Sequence, residues 1–212
     1  MSIFAAKIIC QTMKSVNLLL VILIGILFPT SLTAKGQLVE GNVYLSSGKI
    51  VEAHDSIRIS LPVKKKKLRI FENAYTARQK MMEEIVPTTV DSLVVWSSTS
   101  VERHHTLCYV GKYGWAWLLD NGPHIRVYCF SPKGYYVAGN GGMWYRVKSV
   151  VIIDKDGELF VFKKPDKRAN DKFIKQVTSL VADDPILVAK LNEAYGSREK
   201  ILRMLSLYSP IL

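Results

Sequence analysis

The run LCYVGKYGWAWLLDNGPHIRVYCF, residues 107–130, is made of three short segments rich in Val, Ile, Tyr, Trp and Phe. They are Leu107 to Val110, Trp115 to Leu119 and Ile125 to Phe130, separated by the turn-forming stretches Gly111 to Gly114 and Asp120 to His124. Aromatic and branched segments of this length between Gly, Asn, Asp and Pro predict an antiparallel meander. In the middle segment Trp115, Trp117 and Leu119 share one face and Ala116 and Leu118 the other. A strand that is apolar on both faces belongs in the centre of a sheet.

The same pattern extends in both directions. Upstream, Val39 to Leu45 and Lys49 to Val51 flank Ser46-Ser47-Gly48, and Ile57 to Leu61 and Leu68 to Phe71 flank a lysine cluster. Both are hairpin signals. Residues 72–84 carry no breaker, yet Ile85 and Val86 run straight into Pro87, so loop and strand are expected there. Leu93 to Trp96 predicts a short strand followed by a loop from Ser97 that carries His104 and His105. Downstream, Gly134 to Ala138 and Met143 to Lys148 flank a glycine-rich turn, and Val150 to Ile153 and Leu159 to Phe162 flank Asp154 to Gly157.

At Pro165 the period changes from two to about 3.6. Phe173, Ile174, Val177, Leu180 and Val181 fall on one helical face, and Asp183-Asp184-Pro185 stops that helix and caps the next. Ser197 offers a third cap. The expectation is a mainly β fold, sandwich-like or an open barrel, with three short α-helices at the C-terminus, hence α+β overall. The domains are 1–34 as a signal peptide, 35–164 as an antiparallel β domain, and 165–212 as a helical segment packed on it.

The N-terminus carries the most specific signal. Lys7 and Lys14 precede an eleven-residue apolar run, Leu18 to Phe28, which Pro29 and the stretch Thr30 to Ala34 close. That is the length of a signal-peptide core, whereas a membrane-spanning helix needs roughly 20 apolar residues. Cleavage after Ala34 is expected, with Met13 as an alternative start and an uncleaved anchor as the competing reading. An exported protein in the periplasm or at the cell surface follows.

The net charge of +11 loses only Lys7 and Lys14 on cleavage and stays near about +9. Such a chain is drawn to anionic polymers. Outside the cytoplasm these are acidic glycans and lipopolysaccharide rather than nucleic acid. Lys64, Lys65, Lys66 and Lys67 form the densest cluster, readable as a solvated hairpin tip or as an anion-binding patch. Two cysteines, Cys108 and Cys129, follow the signal; strand parity turns both toward apolar surroundings, as buried thiols or as a disulfide pair.

Among the aromatics, Tyr113, Tyr135, Tyr136, Trp144 and Tyr145 lie beside glycine-rich turns; core packing is the leading reading, and a binding surface, where an exposed ring stacks on a sugar or a partner side chain, is the alternative. No glycine-flanked nucleophile, phosphate-cradling loop or dinucleotide fingerprint occurs, and no catalytic residue, metal site or cofactor is expected. Loop histidines His104, His105 and His124 are the only basis for a rival, an envelope-polymer hydrolase. Asp154-x-Asp156-Gly157 lacks the later ligands of a calcium loop and reads as a turn.

Taken together, the signal segment, the first hairpin Gly41 to Gly48, the aromatic meander Tyr113 to Trp117, the step Phe162-Lys163-Lys164 and Asp183-Asp184-Pro185 within the helical end resemble a broad group of exported proteins of unknown function in Bacteroidales-type bacteria. The resemblance implies location and architecture. It implies no activity, cofactor or catalytic residue. The resulting expectation is a non-enzymatic binding or structural protein of the cell envelope, with an accessory subunit of an envelope complex as a further alternative.

Overall fold

The structure, a computed structural model, describes residues 37–73, 79–145 and 149–210; the expected signal peptide lies outside them. The chain divides into two units, Met1–Lys35 and Gly36–Leu212. Among its described residues the second unit holds thirteen strands: β1 Leu38–Leu45, β2 Ile50–Ala53, β3 Ile57–Ser60, β4 Leu68–Glu72, β5 Lys80–Ile85, β6 Val90–Ser97, β7 Ser100–Val110, β8 Gly114–Asn121, β9 Ile125–Phe130, β10 Tyr135–Val137, β11 Met143–Tyr145, β12 Val150–Lys155 and β13 Glu158–Lys163. Three helices follow, α1 Asp171–Thr178, α2 Pro185–Asn192 and α3 Arg198–Arg203.

Eleven strands form one antiparallel sheet in the order β13-β12-β9-β8-β7-β6-β1-β3-β4-β5, with β2 also on β1. As its two apolar faces require, β8 is central. The registers build one continuous row across five strands, Leu93, Leu107, Trp117, Cys129 and Val151, all on the inner face. The remaining pair, β10 and β11, is a separate two-stranded ribbon.

One inner face serves two cores. Over β6 to β8 the sheet curls back on itself, so that Val39, Ile59, Leu68 and Ile70 from β1, β3 and β4 share a buried cluster with Leu93, Val95, Leu107 and Trp115. The ribbon closes the cluster with Tyr135, Val137 and Met143. It is a single curled sheet rather than two stacked ones. Over β9 and β12 the helices take over: Phe173, Val177, Leu187, Leu191, Ile201 and Leu202 pack on Ile125, Val127, Val151 and Ile153. Each fully buried Leu or Ile contributes about 1.5–3 kcal/mol, so the helices are an integral half of the hydrophobic interior.

Two helix caps, Asp184 and Ser197, are where the sequence places them, and Asn170 adds a cap for α1. Asn170 Oδ1 accepts from Phe173 N at 3.1 Å, Asp184 Oδ1 from Leu187 N at 2.9 Å, and Ser197 Oγ from Lys200 N at 3.3 Å. One expectation needs correction. His104 and His105 are not in a loop: β7 begins at Ser100 and carries both, because pairing with β6 extends through a stretch whose polar side chains hide its alternation. For the thiols, the register decides between the two readings left open. Cys129 belongs to the inner row, whereas Cys108 lies beside Leu107 in β7 and therefore points to the opposite face. No bridge joins them, and both are free.

Candidate functional site

Three turns meet at one end of the curled sheet. They are the β3–β4 turn with Lys64 to Lys67, the β7–β8 turn with Lys112 and Tyr113, and the β9–β10 turn with Lys133. Trp115 holds the first two together: its backbone N–H donates to Lys64 O at 2.8 Å and its buried indole Nε1–H to Lys66 O at 2.9 Å. Between them Gly114 has φ +93°, and a Cβ there would stand 2.2 Å from Lys64 O. Only glycine allows both the backbone angle and the approach. The third turn also comes close, since a Cβ on Gly134 would lie 2.9 Å from Val63 Cγ2.

The result is a fixed backbone platform with exposed lysines, Lys64, Lys65, Lys66, Lys112 and Lys133. None of the three turns contains an acidic residue. Lys67 differs from its neighbours. Its Nζ reaches Glu84 Oε1 at 2.8 Å, while Arg69 Nε reaches Oε2 at 2.9 Å. Lys67 first and Arg69 second hold the Glu84 carboxyl below its ordinary range. Among the described residues no carboxylate pairs with the other five lysines. The platform is therefore of one sign and unneutralised. Tyr113 completes it, its ring 6.1 Å from that of Phe130 and 5.4 Å from Lys112 Nζ.

The expected aromatic set separates into different roles. Tyr135 is core: it is buried, and its hydroxyl lies 2.8 Å from Cys129 O and 3.0 Å from Trp115 O while accepting from Ser131 N. Burial pushes its phenol up, away from ionisation. Tyr136 and Trp144 stand directly opposite each other on the outer side of the ribbon, 46% and 63% exposed. Tyr145 pairs its backbone with Tyr135, and its side chain lies outside the described residues.

The three histidines do not share a site. His104 leans on Trp96 at 4.8 Å, on the outer face. His105, on the inner face, donates Nε2–H to Gly141 O at 2.6 Å and meets Trp117 edge-on. His124 sits in the β8–β9 turn, at the other end of β8 from Lys112, beside Asp156 and Tyr208. Among the described residues, no group of three or more His, Cys, Asp or Glu could hold a metal ion. Asp154 makes the turn expected of it, accepting from Gly157 N at 2.9 Å.

The outer face of β1, β6, β7, β8 and β9 adds a feature that the sequence does not announce, an open groove of about 470 Å³ along Tyr44, Thr106, Cys108, Leu118, Arg126 and Tyr128. Arg126 shares this lining with Tyr128 and stands opposite Asp154 in the register of β9 and β12. The signal is present in the polar alternate positions of these strands, which otherwise read as solvated faces. Family models, curated proteins and solved structures were each compared with the chain, and none matches.

Proposed function

We propose that this protein is an exported, non-enzymatic binding module of the bacterial cell envelope that holds an anionic partner, a glycan or lipopolysaccharide, at the three-turn basic pole. The observation that supports the reading is the gathering of Lys64, Lys65, Lys66, Lys112 and Lys133 on three turns, the first two joined by Trp115 and the third packed on Val63 through Gly134. A lone lysine run at a hairpin tip is an ordinary solvated turn. Five lysines from three separate turns, with no carboxylate partner among the described residues, keep like charges together, which is unfavourable until an anion arrives. The export half of the proposal rests on the apolar run Leu18 to Phe28 and its flanks.

The test is co-sedimentation of the purified protein with lipopolysaccharide, compared with a Lys64→Gln/Lys65→Gln/Lys66→Gln variant. Each lysine near an anionic surface is worth about 1 kcal/mol. Removing three should therefore weaken binding about a hundredfold. Equal binding by the variant, or binding that ignores salt, contradicts the proposal. Mass spectrometry of the protein recovered from its own envelope should find a start near Lys35.

A further inference from the structure

We infer that Tyr136 and Trp144 form a sugar-stacking platform beside the basic pole, so that the partner is an anionic glycan rather than any polyanion; this rests on the anion-binding reading above. The two rings project from the outer side of a ribbon whose inner side, Tyr135, Val137 and Met143, is sunk in the core. With 63% of Trp144 and 46% of Tyr136 exposed, the pair leaves unused apolar surface in water. Flat rings carrying an N–H and an O–H match the apolar face and rim hydroxyls of a pyranose.

The platform is held rigidly. Gln37 bonds Val137 in both directions at 2.7 Å. At the ribbon's tip Thr99 Oγ1 donates to Gly139 O at 2.6 Å, Arg103 Nη1 to Asn140 O at 3.2 Å, and His105 Nε2 to Gly141 O. A ligand that lands there meets a surface already ordered, which spares the entropy of fixing a loop. The platform also adjoins the charge. Lys133 and Tyr136 are three residues apart, at most about 10 Å of chain, and Gly134 between them packs on Val63, the neighbour of Lys64.

The size of the platform selects the partner. Of the ribbon's described side chains Tyr135, Val137 and Met143 are buried, so its exposed apolar area among them is that of the two rings. A stable protein interface buries about 800 Å² on each side, whereas two rings suit one or two sugar units. A glycan bearing phosphate or carboxylate groups would use the rings and the lysines together.

The experiment compares three probes by calorimetry and tryptophan fluorescence: polygalacturonate oligomers, the same oligomers with their carboxyls methyl-esterified, and inorganic polyphosphate. Wild type should bind polygalacturonate about tenfold more tightly than polyphosphate at equal charge density, with a fluorescence change for the sugar alone. Trp144→Ala and Tyr136→Ala, both at exposed positions, should erase that tenfold preference and leave polyphosphate binding intact. If both polyanions bind equally and Trp144→Ala alters neither, the glycan inference falls while the anion reading stands. If neither polyanion binds, the anion reading falls and the inference with it. Strong binding of the esterified oligomer also overturns the inference, because charge would then be irrelevant. Lipopolysaccharide and its dephosphorylated form, assayed alongside, distinguish a phosphorylated sugar from a uronate as the source. Trp144-dependent binding of either source upholds the inference.

Discussion

Tyr135 and Tyr136 are adjacent, identical and opposite in fate. The hydroxyl of Tyr135 is buried among Cys129 O, Trp115 O and Ser131 N, whereas Tyr136 faces solvent. Removing a buried hydroxyl leaves these partners unsatisfied, so Tyr135→Phe should cost about 1–2 kcal/mol in denaturant unfolding, and Tyr136→Phe less than about 0.5 kcal/mol. In the sequence both are equally good binding rings, because a three-residue strand is too short for its alternation to say which face is buried. The cysteines have longer strands, and parity does turn both toward apolar neighbours. What parity within each strand does not supply is the register between strands, which puts Cys108 and Cys129 on opposite faces. Burial pushes Cys108 up to about 11 and Cys129 to about 12. Unfolded thiols ionise near about 8.5. The folded thiols keep their protons beyond that point, so ionisation favours the unfolded chain and stability falls as pH rises from about 8.5 toward 11. A Cys108→Ala/Cys129→Ala variant should flatten that limb of the stability curve, and wild type should resist thiol reagents at pH 8.

At the scale of elements, the helical end is the most legible part of the sequence, since its period and its three capping residues are all local features. Asp184 is the clearest case: its carboxylate accepts from Ser209 N and Leu187 N, which hold it below the ordinary range. A lowered carboxyl stabilises the fold when ionised. Its contribution is present above about pH 4 and is lost as pH falls through the depressed folded value. Thermal melts should therefore show Asp184→Ala less stable than wild type at pH 7, with the gap narrowing below pH 4. The β7 histidines are harder to place, because polar residues on an extended hairpin carry no apolar alternation. Gly114 tests the docking of the β3–β4 turn on β8. Gly114→Ala meets a strained φ and a backbone oxygen, whereas Gly48→Ala meets a similar φ of +82° with nothing within 4 Å. Such strain costs about 1–3 kcal/mol. The Gly114 variant should lose more stability than the Gly48 variant in parallel denaturation, and it alone should weaken polyanion binding.

Across the whole molecule the sequence shows how much positive charge there is but not where it gathers. Lys64, Lys112 and Lys133 are far apart in the chain, and only the curl of the sheet, fixed by Trp115 against Lys64 and Lys66 and by Gly134 against Val63, brings their turns together. Helices packed on strands are, by contrast, foretold by the change of period at Pro165. Because Ile125, Val127, Val151 and Ile153 are fully buried in that contact, deleting residues 166–212 should give an insoluble protein in expression trials rather than a folded β domain. The most direct test of the binding pole is lysine acetylation footprinting with and without polyphosphate, read by mass spectrometry. Lys64, Lys65, Lys66, Lys112 and Lys133 should be protected together, while Lys172, Lys175 and Lys190 of the helical end react as in the free protein. Protection concentrated on the helical lysines, or confined to one turn without the other two, would contradict a shared basic pole.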